Sequence, residues 1–266
     1  MKSRNLFIIA ATIIAGLVAV FVFYTLVHRI QTAPLSKAPA HGTSFLVEAV
    51  FPETGGDTND LAALKQAMLA RAYRLGFRVF WEPVSAARAR VTAPISDPNQ
   101  AELARSAMCR GGRLEIRLVH EDSARLVERG ETPPGYEVLQ HSSRAPDGRE
   151  VIERLVVKQS AAPGLSGALI EDAMVMRNGS GSVNIGFRMR PAAAEAFATF
   201  TRENINRRAA IIVDGQLMSA PVIRGPIEGG SGVITGSMDA REAHELASAL
   251  DCPLPFPVKL VEWKDF

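Results

Sequence analysis

The residues most able to carry out catalysis in this 266-residue sequence are a serine in a glycine-rich segment, an aspartate before a glycine, and five histidines. Ser166 lies in the segment 164–167, which reads GLSG and lacks the Gly-x-Ser-x-Gly spacing of a nucleophile elbow. The glycine-rich segments around Gly181 and Gly229 match neither a P-loop nor a dinucleotide-binding fingerprint. We therefore interpret these glycines as turns.

The histidines and the aspartate have simpler structural explanations. The histidines lie at positions 28, 41, 120, 141 and 244, and no two of them have the helical spacing of a metal-ligand pair. His244 stands between Glu242 and Glu245 on a predicted helix, which is typical of a solvated face. Asp214 could act as a general acid or base, but an Asp-Gly turn that ends an apolar strand is the simpler explanation. We predict that the chain is not an enzyme and binds no metal or cofactor.

A binding surface is the alternative to an active site. Extended polypeptides are held by exposed apolar groups or by a free strand edge. Apolar side chains surround a Ser-Ala-Pro triplet late in the chain, and the candidate binding residues are Leu217, Met218, Ser219, Val222 and Ile223. The competing interpretation is that they are ordinary core residues of two adjoining strands. The sequence leaves both interpretations open.

An uninterrupted apolar run covers residues 6–27, after a five-residue N-terminal segment that contains Lys2 and Arg4. As a helix the run would be about 33 Å long, enough to cross a hydrocarbon core of about 30 Å. It is longer than the core of a usual secretory signal, so we predict an uncleaved anchor. Because a large domain follows the span, we expect residues 1–5 in the cytoplasm and the domain outside it.

The charge composition argues against one class of partner. The whole chain has a formal net charge of +2, but four basic residues flank the apolar run, which leaves 26 basic against 28 acidic residues elsewhere. No basic run or aromatic-interleaved patch provides the positive footprint that nucleic acids need. The two cysteines, Cys109 and Cys252, make no disulfide framework, and the sequence leaves open whether they pair.

The elements that position these residues form two groups. After a proline-containing linker at 28–43, apolar periodicity over residues 44–119 predicts a strand, a helix, two strands, a helix and a last strand at 114–119. This order is the split βαβ arrangement of a ferredoxin-like base. Residues 120–256 predict an inserted α+β head, and the apolar segment in 257–266 predicts a strand that returns to the base. The expected fold class is α+β.

Ordered signals in residues 209–256 carry a family resemblance. They are an Asp-Gly at 214–215, a Ser-Ala-Pro at 219–221, a Gly-Gly at 229–230, an Ile-x-Gly at 234–236 and a Glu-Ala-x-x-Leu-Ala at 242–247. This order resembles the first periplasmic domain of SecD, the membrane subunit that assists protein export. A Phe-x-x-x-Thr-x-x-Asn at 197–204 is similar to that family as well, whereas Asn206 replaces one of its glycines.

The resemblance implies a function, a location and partners. It implies an accessory factor for protein export, anchored in the bacterial cytoplasmic membrane by one helix, whose extracytoplasmic domain binds translocating polypeptides or the translocon. The implied partners are the Sec translocon or SecD/SecF-type subunits, unfolded exported polypeptides, and membrane lipid through the anchor, with no nucleic acid. In that family later membrane helices use the proton gradient, and the run at 6–27 has no ionisable side chain except Tyr24, so we expect no proton-driven motor. The alternative is an envelope structural or assembly module that binds one folded partner.

Overall fold

The structure is a computed structural model that describes residues 34–50, 58–144, 149–177, 182–236 and 238–266. Within these residues the chain has an α+β fold, which confirms the predicted fold class. The predicted N-terminal segment and anchor at 1–27, and the predicted turn around Gly181, lie outside the described residues. Among the helices that are described, none is both long and apolar enough to cross a membrane.

The described elements are thirteen strands and five helices. In chain order they are β1 (Thr43–Ala49), α1 (Thr58–Arg74), β2 (Phe80–Pro83), β3 (Arg88–Ala93), α2 (Pro98–Cys109), β4 (Leu114–Leu118), α3 (Ser123–Arg129), β5 (Tyr136–Arg144), β6 (Glu150–Lys158), β7 (Ser166–Gly167), β8 (Ile170–Arg177), β9 (Val183–Met189), α4 (Pro191–Glu203), β10 (Ala209–Val213), β11 (Gln216–Ser219), β12 (Ser231–Ile234), α5 (Ala240–Asp251) and β13 (Val258–Asp265). We call β1 to α2 together with β13 the base, and β4 to α5 the head.

The base is a four-stranded sheet in the order β13-β1-β3-β2, and each neighbouring pair is antiparallel. Helices α1 and α2 cover one face, where Leu64 and Met108 share a core with Phe45. Phe45 stacks on Trp263 of β13, with ring centroids 5.6 Å apart. The C-terminal strand therefore occupies the position that the sequence analysis gives to a returning strand.

The strand predicted at 114–119 is present, but its expected place in the base sheet is wrong. β4 pairs with β10 of the head, from Leu114 opposite Val213 to Leu118 opposite Ala209. The position beside β1 belongs to β13. The prediction failed because an apolar pattern shows which face of a strand is buried but does not identify the neighbouring strand.

Side-chain caps begin two of the described helices. At α2 the Asp97 side chain accepts a hydrogen bond of 3.1 Å from the Asn99 N–H, and Pro98 occupies the first turn. At α5, Asp239 and Glu242 form a capping box with reciprocal side-chain bonds of 2.8 and 3.1 Å. These bonds satisfy N–H groups that the first helical turn leaves without partners.

The head combines a four-stranded sheet (β11-β10-β4-β7), a three-stranded sheet (β12-β9-β8) and the β5-β6 hairpin. Its main core lies between the two sheets, α4 and α5, and includes Ile116, Ile185, Phe197 and Leu246. A smaller core joins the hairpin to the outer face of β10 and β11. The head thus has apolar layers of its own, separate from the core of the base.

Candidate binding surfaces of the head

Asp214 and Gly215 form the turn between β10 and β11, with φ values of 50° and 80°. Positive φ at both central residues is the type I′ geometry that two-residue hairpins prefer. The two Asp214 carboxylate oxygens each accept a hydrogen bond of 3.0 Å, from the N–H groups of Gly112 and Arg113. The turn interpretation is confirmed, and the carboxylate fixes the segment that leads from the base into the head.

We expect Asp214→Ala to lower the free energy of unfolding by about 2 kcal/mol, because two N–H groups lose their acceptor and alanine is strained at this φ. Urea denaturation of the purified chain measures the loss. Asp214→Asn is the control, since asparagine tolerates positive φ and keeps one acceptor oxygen. We expect a smaller loss for it, and an equal loss in both variants would contradict the role given to the hydrogen bonds.

The other candidates for chemistry lie apart from one another. Ser166 is an exposed residue of β7. His244 Nδ1 lies 2.6 Å from the carbonyl oxygen of Ala240, one turn earlier on α5, and the His120 ring contacts Tyr136 edge-on at 4.9 Å. Over the described ranges, no three His, Cys, Asp or Glu side chains could together hold a metal ion. That the chain is not an enzyme stays a prediction.

The five predicted binding residues do not share one surface. Leu217, Ser219 and Ile223 are buried, with exposed fractions of 6%, 3% and 6%. Leu217 packs in the small core under the hairpin, and Ile223 packs in the main core of the head. These three residues are therefore buried core residues, as the competing interpretation holds. Met218 and Val222 are partly exposed and line separate pockets.

Met218 lines a pocket of about 450 Å³ between the hairpin and β11, together with Arg110, Leu139 and His141. β11 is an edge strand, which by itself suggests a place for an added strand. However, the chain at Gly236 runs beside it, so that a Cβ built there would lie 3.5 Å from the Met218 carbonyl oxygen. This neighbour restricts access to the edge.

Val222 lines a second pocket, of about 710 Å³, beside α3. Arg208 donates two hydrogen bonds, of 2.6 and 2.9 Å, to the Glu153 carboxylate in its wall. These bonds lower the pKa of Glu153 below its ordinary value. The charges of Arg208 and Glu153 thus compensate each other within the pocket.

Asn206, at the position where a glycine was expected from the resemblance, has a φ of 66°.

A group of exposed apolar side chains lies on the outer face of the three-stranded sheet. Met174 and Met176 of β8 are 55% and 41% exposed, and Val233 of β12 is 42% exposed. Met174 lies opposite Gly186 of β9, and Gly186 lies opposite Val233, so these residues share one side of the sheet. We call the surface formed by Met174, Met176, Gly186 and Val233 the methionine face.

Gly186 gives the methionine face a central groove. It has no side chain, and a Cβ built there would overlap the Met176 sulfur, which therefore lies across the glycine. The cavity above these residues has a volume of about 590 Å³. Because methionine has three rotatable bonds and a polarisable sulfur, such a lining adapts to differently shaped apolar groups.

The charged residues at the rim of the methionine face are paired. Asp172 lies 3.6 Å from Arg74 of the base, and Arg188 lies 3.4 Å from Glu171. Each of these pairs carries both signs of charge. The surface is therefore apolar at its centre and balanced in charge along this part of its rim.

The methionine face has no distinct pattern in the sequence, because β8 is apolar on both sides. Ala173 and Val175 face inward, while Met174 and Met176 alternate with them and face outward. When the side chains on both sides of a strand are apolar, an alternating pattern cannot show which side faces the core. One usable signal was Gly186, because a glycine inside an alternating strand often marks a site where another group approaches closely.

Comparison with known proteins relates the head to one family. Residues 139–255 match the family model described as SecDF, P1 head subdomain. The protein translocase subunit SecDF of Thermus thermophilus is 33% identical over 179 residues, which cover 65% of this chain and 23% of that protein. SecD of Aquifex aeolicus is 39% identical over 153 residues, or 57% of this chain and 28% of that protein. The chain thus spans about a quarter of the length of these relatives.

Solved structures extend the similarity to the base. A structure described as a membrane component SecDF that enhances protein export aligns with 82% of this chain and 98% of its own, at a TM-score of 0.61 and 26% identity. A structure of SecDF in a super-membrane-facing form aligns with 93% of this chain and 35% of its own, at a TM-score of 0.63 and 24% identity. At 24% identity, the similarity to this second structure shows a shared fold alone.

Proposed function

We propose that this chain, which carries a SecD P1 domain with its head subdomain over residues 139–255, is an accessory factor in protein export whose head binds polypeptides during translocation. Relatives with this domain are named protein translocase subunits. Because this chain covers only part of their length, its own activity and its partners are proposals.

The observation that carries the proposal is the methionine face. Met174, Met176 and Val233 each expose more than 40% of their surface, on a regular sheet with paired charges at its rim. Exposed apolar groups of this kind mark interaction sites. A flexible, methionine-lined groove suits many apolar sequences because its side chains can repack around each one.

An unfolded exported polypeptide fits the methionine face better than one folded partner does, for a physical reason. A specific interface with a single folded partner requires a rigid surface whose shape is complementary to that partner. The groove over Gly186 is instead walled in part by Met174 and Met176, whose unbranched side chains can change rotamer. The alternative function, an envelope structural or assembly module for one folded partner, is the second candidate because Met218 and Val222 line separate pockets whose linings include charged side chains, among them the bonded pair Arg208 and Glu153.

The proposal places the domain outside the cytoplasm, on an anchor formed by residues 6–27. Its partners are the Sec translocon or SecD/SecF-type subunits, the exported polypeptides, and membrane lipid around the anchor. It assigns no proton-driven motor to this chain, since the apolar run has no ionisable side chain except Tyr24. Energy for movement then comes from a partner.

We expect the double variant Met174→Asp, Met176→Asp to bind an unfolded polypeptide at least about tenfold more weakly, because apolar groups in the groove would have to desolvate two carboxylates. The measurement is fluorescence anisotropy of a labelled, reduced and carboxymethylated polypeptide, titrated with the full-length chain in detergent.

The control is Ile152→Asp, which places a single carboxylate on the β6 strand of the same head, at a residue that is 62% exposed. It should bind the polypeptide like the unaltered chain. Equal binding by the double variant and the control would contradict a role for the methionine face. No binding by the unaltered chain would favour the assembly-module alternative.

A further inference from the structure

The base and the head are joined by two chain segments that run side by side. Residues 110–113 lead out of the base, and residues 252–257 lead back to it. The Leu254 N–H donates a hydrogen bond of 2.8 Å to the Gly111 carbonyl oxygen, which bonds one segment to the other. Gly112 lies so close to the end of α5 that a Cβ built there would overlap the Ala249 carbonyl oxygen. Any change in the orientation of the head must pass through these two segments.

One guanidinium group binds both segments. Arg71 of α1 is fully buried, and its five N–H bonds point to five backbone carbonyl oxygens. Nε donates to Cys252 at 2.6 Å, Nη1 donates to Ala107 at 2.8 Å and also to Arg110, and Nη2 donates to Gly111 at 3.0 Å and to Ala249 at 3.4 Å. All five donors of the side chain are therefore used.

The acceptors come from the ends of two helices. Ala107, Arg110 and Gly111 lie at or beyond the C-terminus of α2 in the base, and Ala249 and Cys252 lie at the C-terminus of α5 in the head. The last carbonyl groups of a helix lack internal partners and form the negative end of its dipole. Arg71 satisfies both sets with one positive charge. Burial lowers its pKa to about 10, so the side chain is protonated at neutral pH.

A neighbouring arginine strengthens the same junction from outside. Arg74, one turn later on α1, lies 2.9 Å from the Asp251 carboxylate and donates to the Ala173 carbonyl oxygen at 3.0 Å. On the other side of the junction, the Ser106 hydroxyl donates to the buried Glu245 carboxylate at 2.6 Å. The Arg74 side chain is partly exposed, whereas Arg71 is fully buried.

We propose that Arg71 is a clamp that fixes the orientation of the head relative to the base, and that it does so by holding the two connecting segments together. The clamp is independent of what the head binds. It acts on the connections, because its five hydrogen bonds end on backbone carbonyl oxygens in the connecting segments and at the helix ends beside them. Without it, each subdomain keeps its own core while the angle between them varies.

Distance measurements between two spin labels test the clamp. Labels are placed at Gln66 of α1 and Thr199 of α4, both exposed, in the full-length chain after Cys109→Ala and Cys252→Ala. We expect one narrow distance distribution for this parent. Arg71→Gln should at least double its width, and Arg71→Lys, which keeps the charge but offers three donors, should give an intermediate width.

Amide hydrogen exchange in β1 and β9 is measured on the same samples, and protection in both strands should be retained. The matched control is Arg105→Gln on α2, whose side chain pairs with Glu102 within that helix and should leave the width unchanged. An unchanged width in Arg71→Gln overturns the clamp. Loss of protection in both strands, in Arg71→Gln and Arg71→Lys alike, also overturns it, because Arg71 would then support one common core.

Discussion

Replacing Gly112 by alanine is expected to lower the free energy of unfolding by about 3 kcal/mol or more. Gly112 has a φ of 76°, a left-handed conformation that costs an alanine about 1–2 kcal/mol. The added Cβ would also overlap the carbonyl group of Ala249, and a backbone group cannot rotate away as a side chain can. Overpacking of this kind costs about 1–3 kcal/mol. Urea denaturation followed by circular dichroism gives the total loss.

Gly76 provides the matched control for Gly112. It has a φ of 82°, and a Cβ built there meets no atom within 4 Å. Gly76→Ala therefore measures the cost of the backbone conformation alone, and we expect about 1 kcal/mol. Equal losses for the two variants would show that the connecting segment does not lie against the end of α5.

Deleting residues 258–266 is expected to unfold the base while the four-stranded sheet of the head persists. β13 pairs with the whole length of β1, and Trp263 covers Phe45 in the core of the base. Hydrogen exchange should therefore show lost protection in β1, β3, α1 and α2. β4 should stay protected, because its partners are β10 and β7.

The response of β4 is the decisive part of that experiment. Lys264→Ala, an exposed change on the same strand, controls for surface effects and should leave all strands protected. Lost protection in β4 together with β1 would mean that the two subdomains unfold as one unit. Unchanged protection in β1 would contradict the pairing of β13 with the base.

Local signals in the sequence predicted the elements of the base well. The Asp97 cap and the apolar periods of α1 and α2 act within one or two helical turns, so they can be recognised without knowing the fold. The partner of a strand is a long-range choice. β4 and β13 both mix apolar and charged residues, and β1 pairs with the one that lies more than 200 residues later in the chain.

The binding surface was harder to predict than the fold. Leu217 and Ile223 were candidates because they are apolar and lie near a family motif, but the same property places them in cores. The exposure of Met174 and Met176 depends on which side of β8 faces the main core, and that is decided by packing against α5 and β9. The role of Arg71 was equally hidden, because its five acceptors come from segments up to 181 residues away.

Site-specific photo-crosslinking during export tests the central claim most directly, which is that the methionine face binds polypeptides in translocation. A photoreactive residue at Met174 is compared with one at Ile152, both exposed on the head. We predict crosslinks from position 174 to many exported chains of different length, and few from position 152. Crosslinks from position 174 to one folded partner only, or equal yields from the two positions, would contradict the proposed function.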